Sequence, residues 1–157
     1  MLKVKKISFS YQEKVTINNV SFELEKGSSF AVIGESGCGK STLLKLIYGL
    51  YDLDEGELFW NDKEVLGPKY HLIPGMDFMK YLAQDFDLMP FITVAENVGK
   101  HLSNIYPNQK KERIKELLEL VEMTKFANVD VKFLSGGQMQ RVAIARVLAL
   151  EPEVLLL

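Results

Sequence analysis

Apolar and polar residues alternate twice in the first 24 positions: Ile7, Phe9 and Tyr11, then Val20, Phe22 and Leu24. A period of two marks a half-buried strand, so these stretches predict two strands of an antiparallel layer. Glu25-Lys26-Gly27 reads as a turn, and "SSFAVI" (Ser28 to Ile33) as a short apolar strand. After a glycine-rich stretch, Leu43, Leu44, Ile47 and Leu50 recur at helical spacing. Asp52 to Gly56 predicts a turn, "ELFW" a strand, and "NDKEVLGPKYHLIPGMD", punctuated by Gly67-Pro68 and Pro74-Gly75, loops. "MKYLA" (Met79 to Ala83) has strand composition. Thr93 to Glu96 has the S/T-x-x-E form of a capping box and predicts a helix start. Lys110 to Met123 predicts an amphipathic helix, with Ile114, Leu117, Leu118 and Val121 on one stripe. Ser135 to Gln138 is a second capping-box pattern, opening a helix to about Leu150. A turn at Glu151-Pro152 leads into Val154 to Leu157, the beginning of a buried strand of a parallel sheet. The pattern predicts an α/β protein with an N-terminal antiparallel β layer and a helical insertion between two parallel strands.

Composition excludes several classes. The 157 residues are 25% charged and 47% hydrophobic, which suits one domain with a real core. A net charge of −2 gives no general footprint for nucleic acid. One cysteine, Cys38, allows neither an intrachain disulfide nor a cysteine-based zinc site. No apolar run reaches the roughly 18 residues of a membrane span. "MLKVKKISFS" has no apolar h-region, so a cytosolic protein is expected, one that could still lie on a membrane through an integral partner.

"GESGCGKST", Gly34 to Thr42, carries the strongest chemistry. Gly34 and Gly39-Lys40-Ser41 fit G-x-x-x-x-G-K-[ST], the phosphate loop also called Walker A. Glycines let the loop turn back and present N–H groups to phosphate oxygens. A helix starting near Lys40 adds its positive dipole end. Lys40 can reach the β- and γ-phosphates, and the Ser41 hydroxyl can ligate Mg²⁺. An apolar strand before and a periodic helix after fit the motif. Cys38 lies near that helix start and Lys40, which both favour a thiolate; a reactive thiol shielded by ATP and a small filler residue are both open readings. His71 and His101 match no motif and read as surface or loop histidines.

"LSGGQMQRVAIARVLA", Leu134 to Ala149, is the second motif. Alone it is a well-capped helix start that could also hold a phosphate. Together the two motifs, in this order, resemble the ATP-binding domain of ABC-type ATPases, in which LSGGQ is the signature. The resemblance covers the whole chain. It implies a P-loop NTPase core of ABC type, incomplete at its C-terminal end, with residues 1–84 as β layer and core, 85–134 as helical subdomain, and 135–157 as signature helix and the start of the Walker B strand. It also implies that Gly34, Ser36, Gly37, Cys38, Gly39, Lys40, Ser41 and Thr42 hold the nucleotide, and that Tyr11 stacks on adenine. Gln84 matches the Q-loop glutamine, which touches Mg²⁺ or the attacking water and links the site to the helical subdomain. Ser135, Gly136, Gly137 and Gln138 match the signature residues that contact the nucleotide of a partner chain. One ATP held between the first loop of one copy and the second loop of the other would use both, and an isologous dimer supplies that arrangement twice.

In the family, the apolar strand after the signature helix leads to an aspartate that holds Mg²⁺ and a glutamate that orients the attacking water. The sequence stops one residue short of that pair, so it resembles an ABC ATPase cut off before its catalytic carboxylates. Glu151 and Glu153 lie at the strand's other end, roughly 10 Å or more away. The expectation is a chain that binds ATP and does not turn it over, within a parent that does. In the family, the strand at Ser28 to Ile33 and the strand at Val154 to Leu157 are separated by a later one, so both are expected to have open edges, and the isolated chain to be poorly folded or to aggregate. The resemblance implies the ATP-binding subunit of a transporter, paired as a homodimer or with another ABC domain. It would be cytoplasmic, peripheral on the inner membrane face through integral transporter subunits, with no nucleic acid partner. "SGCGKST" and "DFDLMPFITVAENV" look most like importers of polyamine, iron or sugar type. The alternatives are a soluble ABC ATPase of DNA repair or translation, or a non-catalytic nucleotide-binding fragment.

Overall fold

The computed structural model describes residues 1–157. The chain divides into two compact units, Met1–Tyr81 with Leu156, and Leu82–Leu155 with Leu157. The first unit is built on an antiparallel sheet of four strands: β1 (Leu2–Tyr11), β2 (Lys14–Leu24), β3 (Glu55–Trp60) and β4 (Lys63–Glu64), in the order β2-β1-β3-β4. Alternation sets its register. Leu2 faces Leu24 on one side and Trp60 on the other, and Val4 faces Phe22 and Leu58. Leu2, Val4, Ile7 and Phe9 are buried together with Leu43, Leu46 and Ile47 of helix α1 (Lys40–Tyr48). The helix packs on β2 and on the short strand β5 (Met79–Tyr81). Strand β5 stops two residues before the predicted Ala83. The unit also takes in Leu156, the buried residue of strand β6 (Val154–Leu156), which pairs with β5 in a separate two-stranded sheet.

The β1 register shifts between Val4 and Ile7. Lys6 is left-handed there, at φ 49°, and its amide donates to Ser21 Oγ at 2.8 Å. Asn19, also left-handed, donates its amide to Ser8 Oγ at 3.1 Å. Serine hydroxyls thus take the place of ladder acceptors where the strand bulges. On the other edge of β1 the bulge is met by Gly56, at φ 88°. A Cβ added to Gly56 would sit 2.5 Å from the carbonyl oxygens of both Lys5 and Lys6. Only glycine lets β3 run this close.

Two expectations are corrected here. Ser28 to Ile33 does not form a strand. Its composition favours extended backbone, but a strand needs a neighbour for its N–H and C=O groups, and no strand pairs with it. Phe30 and Ile33 are 56% and 92% exposed, and Phe30 stacks on Phe22 at 5.0 Å between ring centroids. The stretch expected to be all loops also contains β4, which pairs with Phe59 and Trp60.

The second unit packs helices α2 (Val94–Gly99), α3 (Pro107–Leu120) and α4 (Gly136–Leu148) around Val94, Val98, Leu117, Leu118, Met123, Val131, Val142 and Ala145. Both predicted capping boxes form, Thr93 with Glu96 and Ser135 with Gln138. Thr93 donates from its hydroxyl and its backbone N–H to Glu96, and these bonds hold the Glu96 carboxyl below its ordinary pKa. The free amides at the start of α2 are satisfied across the chain: Val94 donates to the carbonyl of Val129, and Ala95 to that of Ala127. Helix α3 starts one turn before the predicted Lys110, because Pro107 suits the first helical position. It ends three residues before the predicted Met123. Glu122 turns left-handed at φ 57°, its N–H bonds Glu119 O, and the Met123 N–H bonds Leu118 O at 2.8 Å. That is a Schellman closure made with a glutamate in place of the usual glycine. No helix is long and apolar enough to cross a membrane.

Gly56→Ala should lower stability by more than about 2 kcal/mol, since it adds left-handed strain to a backbone overlap. Urea denaturation of the two proteins measures it, and an unchanged midpoint would show that the bulge can open without cost.

Candidate nucleotide-binding site

In the first unit the chain arrives at α1 through an irregular stretch and a tight loop, Gly34 to Gly39. Gly37 and Gly39 are left-handed, at φ 83° and 99°. Gly39 is the residue that opens α1. A Cβ there would lie 2.9 Å from the Thr16 carbonyl oxygen and 3.1 Å from Ile17 Cδ1 on β2. The loop therefore seats the helix start against β2 only if position 39 has no side chain. Within the loop, Cys38 Sγ lies 2.8 Å from where a Cβ on Gly34 would be, so Gly34 makes room for an exposed cysteine.

The loop curls round the Lys40 ammonium. Lys40 Nζ donates to the carbonyl of Gly34 at 2.9 Å and of Glu35 at 2.7 Å, and lies 3.8 Å from Cys38 Sγ. A cation is thus held in the concavity of the loop. The first turn of α1 carries no acidic residue to oppose an anion. The Ser41 side chain is exposed, and its hydroxyl makes no bond within the chain. A free hydroxyl beside an ammonium at a helix start is the donor set that suits phosphate oxygens with a hard divalent cation. Thr42 is buried on α1.

Tyr11, at the end of β1, belongs to the same unit and reaches this helix. Its ring packs edge-on to Phe9 at 4.8 Å and to Tyr51 at 5.7 Å, while Phe9 and Tyr51 stack at 5.3 Å. The Lys45 ammonium of α1 lies 5.9 Å from the Tyr51 ring centroid. Hydroxyl bonds from Tyr51 and then Thr42 hold the Tyr11 phenol below its ordinary pKa, and the Tyr51 phenol, which gives its proton to that bond, is pushed up. The structure thus brings Tyr11 together with Thr42 and the helix that the loop opens. Tyr51 completes the cluster. Sequence reasoning missed it, because an aromatic in a turn carries no period.

In the second unit Gln84 is exposed in a turn, and Ser135 to Gln138 form the first turn of α4. Gln138 accepts from the Ser135 amide at 2.8 Å, and Ser135 Oγ accepts from the Gln138 amide at 3.4 Å. Gly136 and Gly137 differ from Gly39 and Gly56. Neither has a positive φ, and a Cβ on either would meet nothing within 4 Å. The fold has no need of glycine here. Two glycines in a first helical turn cost up to about 1 kcal/mol each relative to alanine, and no crowding atom inside the fold calls for them.

Two further residues have structural roles that carry no local signal. Asn97, fully buried on α2, accepts from the Met89 amide at 2.9 Å and donates to the carbonyls of Met89 and Thr93 at 3.0 and 3.1 Å. Arg146, buried on α4, donates to the carbonyls of Asp87 and Phe86. Both pin the segment that follows Gln84. A buried polar residue in a helix looks the same in sequence whatever it holds.

The ABC transporter family profile matches residues 17–157. The chain is 38% identical, over 156 residues, to the spermidine/putrescine import ATP-binding protein PotA of Thermotoga maritima; the match covers 98% of this chain and 41% of that protein. The chain therefore spans about two-fifths of the length of that relative. Among solved structures, it superposes on the dimeric structure of MJ0796, a bacterial ABC transporter cassette, with a TM-score of 0.83 at 30% identity, over 99% of this chain and 72% of that one. A dimeric post-hydrolysis state of the MJ0796 ATP-binding cassette, bound to ADP and Pi, gives 0.81 at 30% identity with the same coverage. The cbiO1 protein of Clostridium perfringens, part of the ABC transporter complex cbiONQ, shares the fold at 0.82 with 24% identity, over 98% of this chain and 63% of that one.

Tyr51→Phe removes the donor that lowers the Tyr11 phenol, so Tyr11 should titrate later, nearer the ordinary phenol value. Carbon-13 NMR of labelled tyrosines follows it. An unmoved Tyr11 titration would mean that the bond is not made in solution.

Proposed function

The chain belongs to the ABC transporter family, and from that premise we propose that it is the ATP-binding subunit of an ABC importer. The observation that carries the reading is the contrast between two glycine-rich helix starts. At Gly39 the fold itself requires glycine, and the loop it allows holds a lysine ammonium. At Gly136 and Gly137 the fold requires nothing, and the backbone lies bare. The first is built to grip a phosphate chain, and the second leaves room for one brought by another molecule.

In this reading the amides of Gly34, Ser36, Gly37, Cys38, Gly39, Lys40, Ser41 and Thr42 hold the phosphates, and Lys40 turns its ammonium to the β- and γ-oxygens. Tyr11 supplies a ring for adenine, steadied by Phe9 and Tyr51. Ser41 and Gln84 would hold Mg²⁺, which when bound neutralises charge on the terminal phosphates. Gln84 also orients the attacking water. Ser135, Gly136, Gly137 and Gln138 of one protomer close over the nucleotide held by its partner, so that two chains bury two ATP molecules. ATP binding closes the pair and hydrolysis in the parent protein reopens it. The second unit passes that motion to integral membrane subunits, which would keep the protein cytoplasmic and peripheral. The relationship to a spermidine/putrescine importer ATPase favours a polyamine or similar small cation as cargo, chosen by those other subunits.

Lys40→Ala should weaken ATP binding about 10- to 100-fold, the loss of one charge-assisted contact worth roughly 1.5–3 kcal/mol. Equilibrium binding of a fluorescent ATP analogue measures it, and wild-type affinity would remove the phosphate loop from the site. Ser135→Arg should leave that binding intact in the monomer and abolish the ATP-dependent dimer, whereas Gly136→Ala should fold at least as stably as the wild type. Light scattering and thermal denaturation read the two effects. An ATP-driven dimer of the arginine variant would count against the shared nucleotide.

A further inference from the structure

The turn that presents Gln84 is held in an unfavourable shape by a residue of the signature helix. The Phe86 amide donates to the Ala83 carbonyl at 3.0 Å and closes the turn around Gln84 and Asp85. The next two residues, Phe86 and Asp87, are both left-handed, at φ 59° and 45°. Neither is glycine, and consecutive side chains in this region are strained. Arg146 sits directly beneath. One arm of its guanidinium donates to the Asp87 carbonyl at 2.6 Å, and the other to the Phe86 carbonyl at 2.9 Å. Its charge also lies 3.6 Å from the exposed Asp87 carboxylate. Around this fork Leu82, Phe86 and Leu88 pack on Ala143 and Val147 of the same helix. Beyond it, Asn97 grips Met89 and Thr93.

A planar fork with two parallel donors suits two successive carbonyls that point the same way, which is what a left-handed pair presents. A lysine in its place offers a single point of attachment. We propose that Arg146 is a positioning residue for Gln84. It fixes Phe86 and Asp87 in the left-handed conformation, and so sets the direction from which the Gln84 amide meets the metal or water. Arg146 lies ten residues along the helix that Ser135 caps, roughly 15 Å from the signature. The signature and the glutamine turn are therefore attached to one rigid rod, and a displacement of Ser135 by a partner's nucleotide carries the turn with it. This inference rests on the role given to Gln84 above.

The test is ATP turnover by the full-length protein carrying Arg146→Lys, alone and combined with Asp87→Gly. Loss of the fork should lower kcat about tenfold, as loss of an orienting partner in a metal site does, and leave the KM for ATP and Mg²⁺-free ATP binding unchanged. Glycine adopts the left-handed shape without help, so adding Asp87→Gly should restore most of the lost kcat. A role in packing alone gives a different result, because glycine then adds a second defect. Should the lysine variant not fold, Arg146→Gln, which keeps one donating amide, is read in the same way. Wild-type kcat in the single variant, or a loss that glycine does not relieve, overturns the inference while the nucleotide site stands. Failure of the wild-type protein to bind ATP overturns both.

Discussion

The closeness with which α1 can start beneath β2 governs the first unit. A side chain at position 39 would run into the Thr16 carbonyl and Ile17. Without one, the loop folds over, Lys40 reaches back to its own carbonyls, and the helix lays Leu43, Leu46 and Ile47 on the sheet. The same close approach brings Thr42 within hydrogen-bond reach of Tyr11, so the glycine-rich loop and the aromatic cluster are positioned by one constraint. Loop shape and core packing are not separable here: the glycine that lets the loop curl round the Lys40 ammonium is also the one that lets the helix start against β2.

Much of this was legible in the sequence because it is local. A capping box declares itself within four residues, and both form. The glycine-rich loop declares itself by spacing, and it forms as a tight turn through Gly37 and Gly39 ahead of α1. Alternation gave β1 and β2, and the helical stripe gave α3 to within a turn. What failed was the strand at Ser28 to Ile33. Its composition describes a preference, whereas a strand also needs a partner, and the partner is not a local property. Tyr51, Asn97 and Arg146 were invisible for the same reason. Each acts on groups brought near by the fold, and Arg146 bonds residues some sixty positions away. The family profile and the solved cassettes settle the fold class, with an antiparallel sheet beside helices as the pattern implied.

The glycines show how fold and function can be told apart in such a chain. Position 56 needs glycine because two carbonyls lie where a Cβ would be. Positions 136 and 137 have neither a crowding atom nor a left-handed backbone. A helix with two glycines in its first turn is less stable than one with alanines there. Nothing internal to the fold calls for glycine at these two positions, in contrast to position 56.

The turn after Gln84 carries the same reasoning to a residue whose purpose is hidden. Two non-glycine residues in left-handed shape cost roughly 1–2 kcal/mol each. Two bonds from a charged donor return roughly 1.5–3 kcal/mol each, so the guanidinium of Arg146 is sufficient to hold the strained pair. The balance works in both directions. A buried arginine is itself unfavourable without acceptors, and the backbone of Phe86 and Asp87, in its left-handed shape, supplies two. Strain and buried charge are each tolerable because of the other. The turn and the helix are therefore stable as a pair, and a change that moves one must move both.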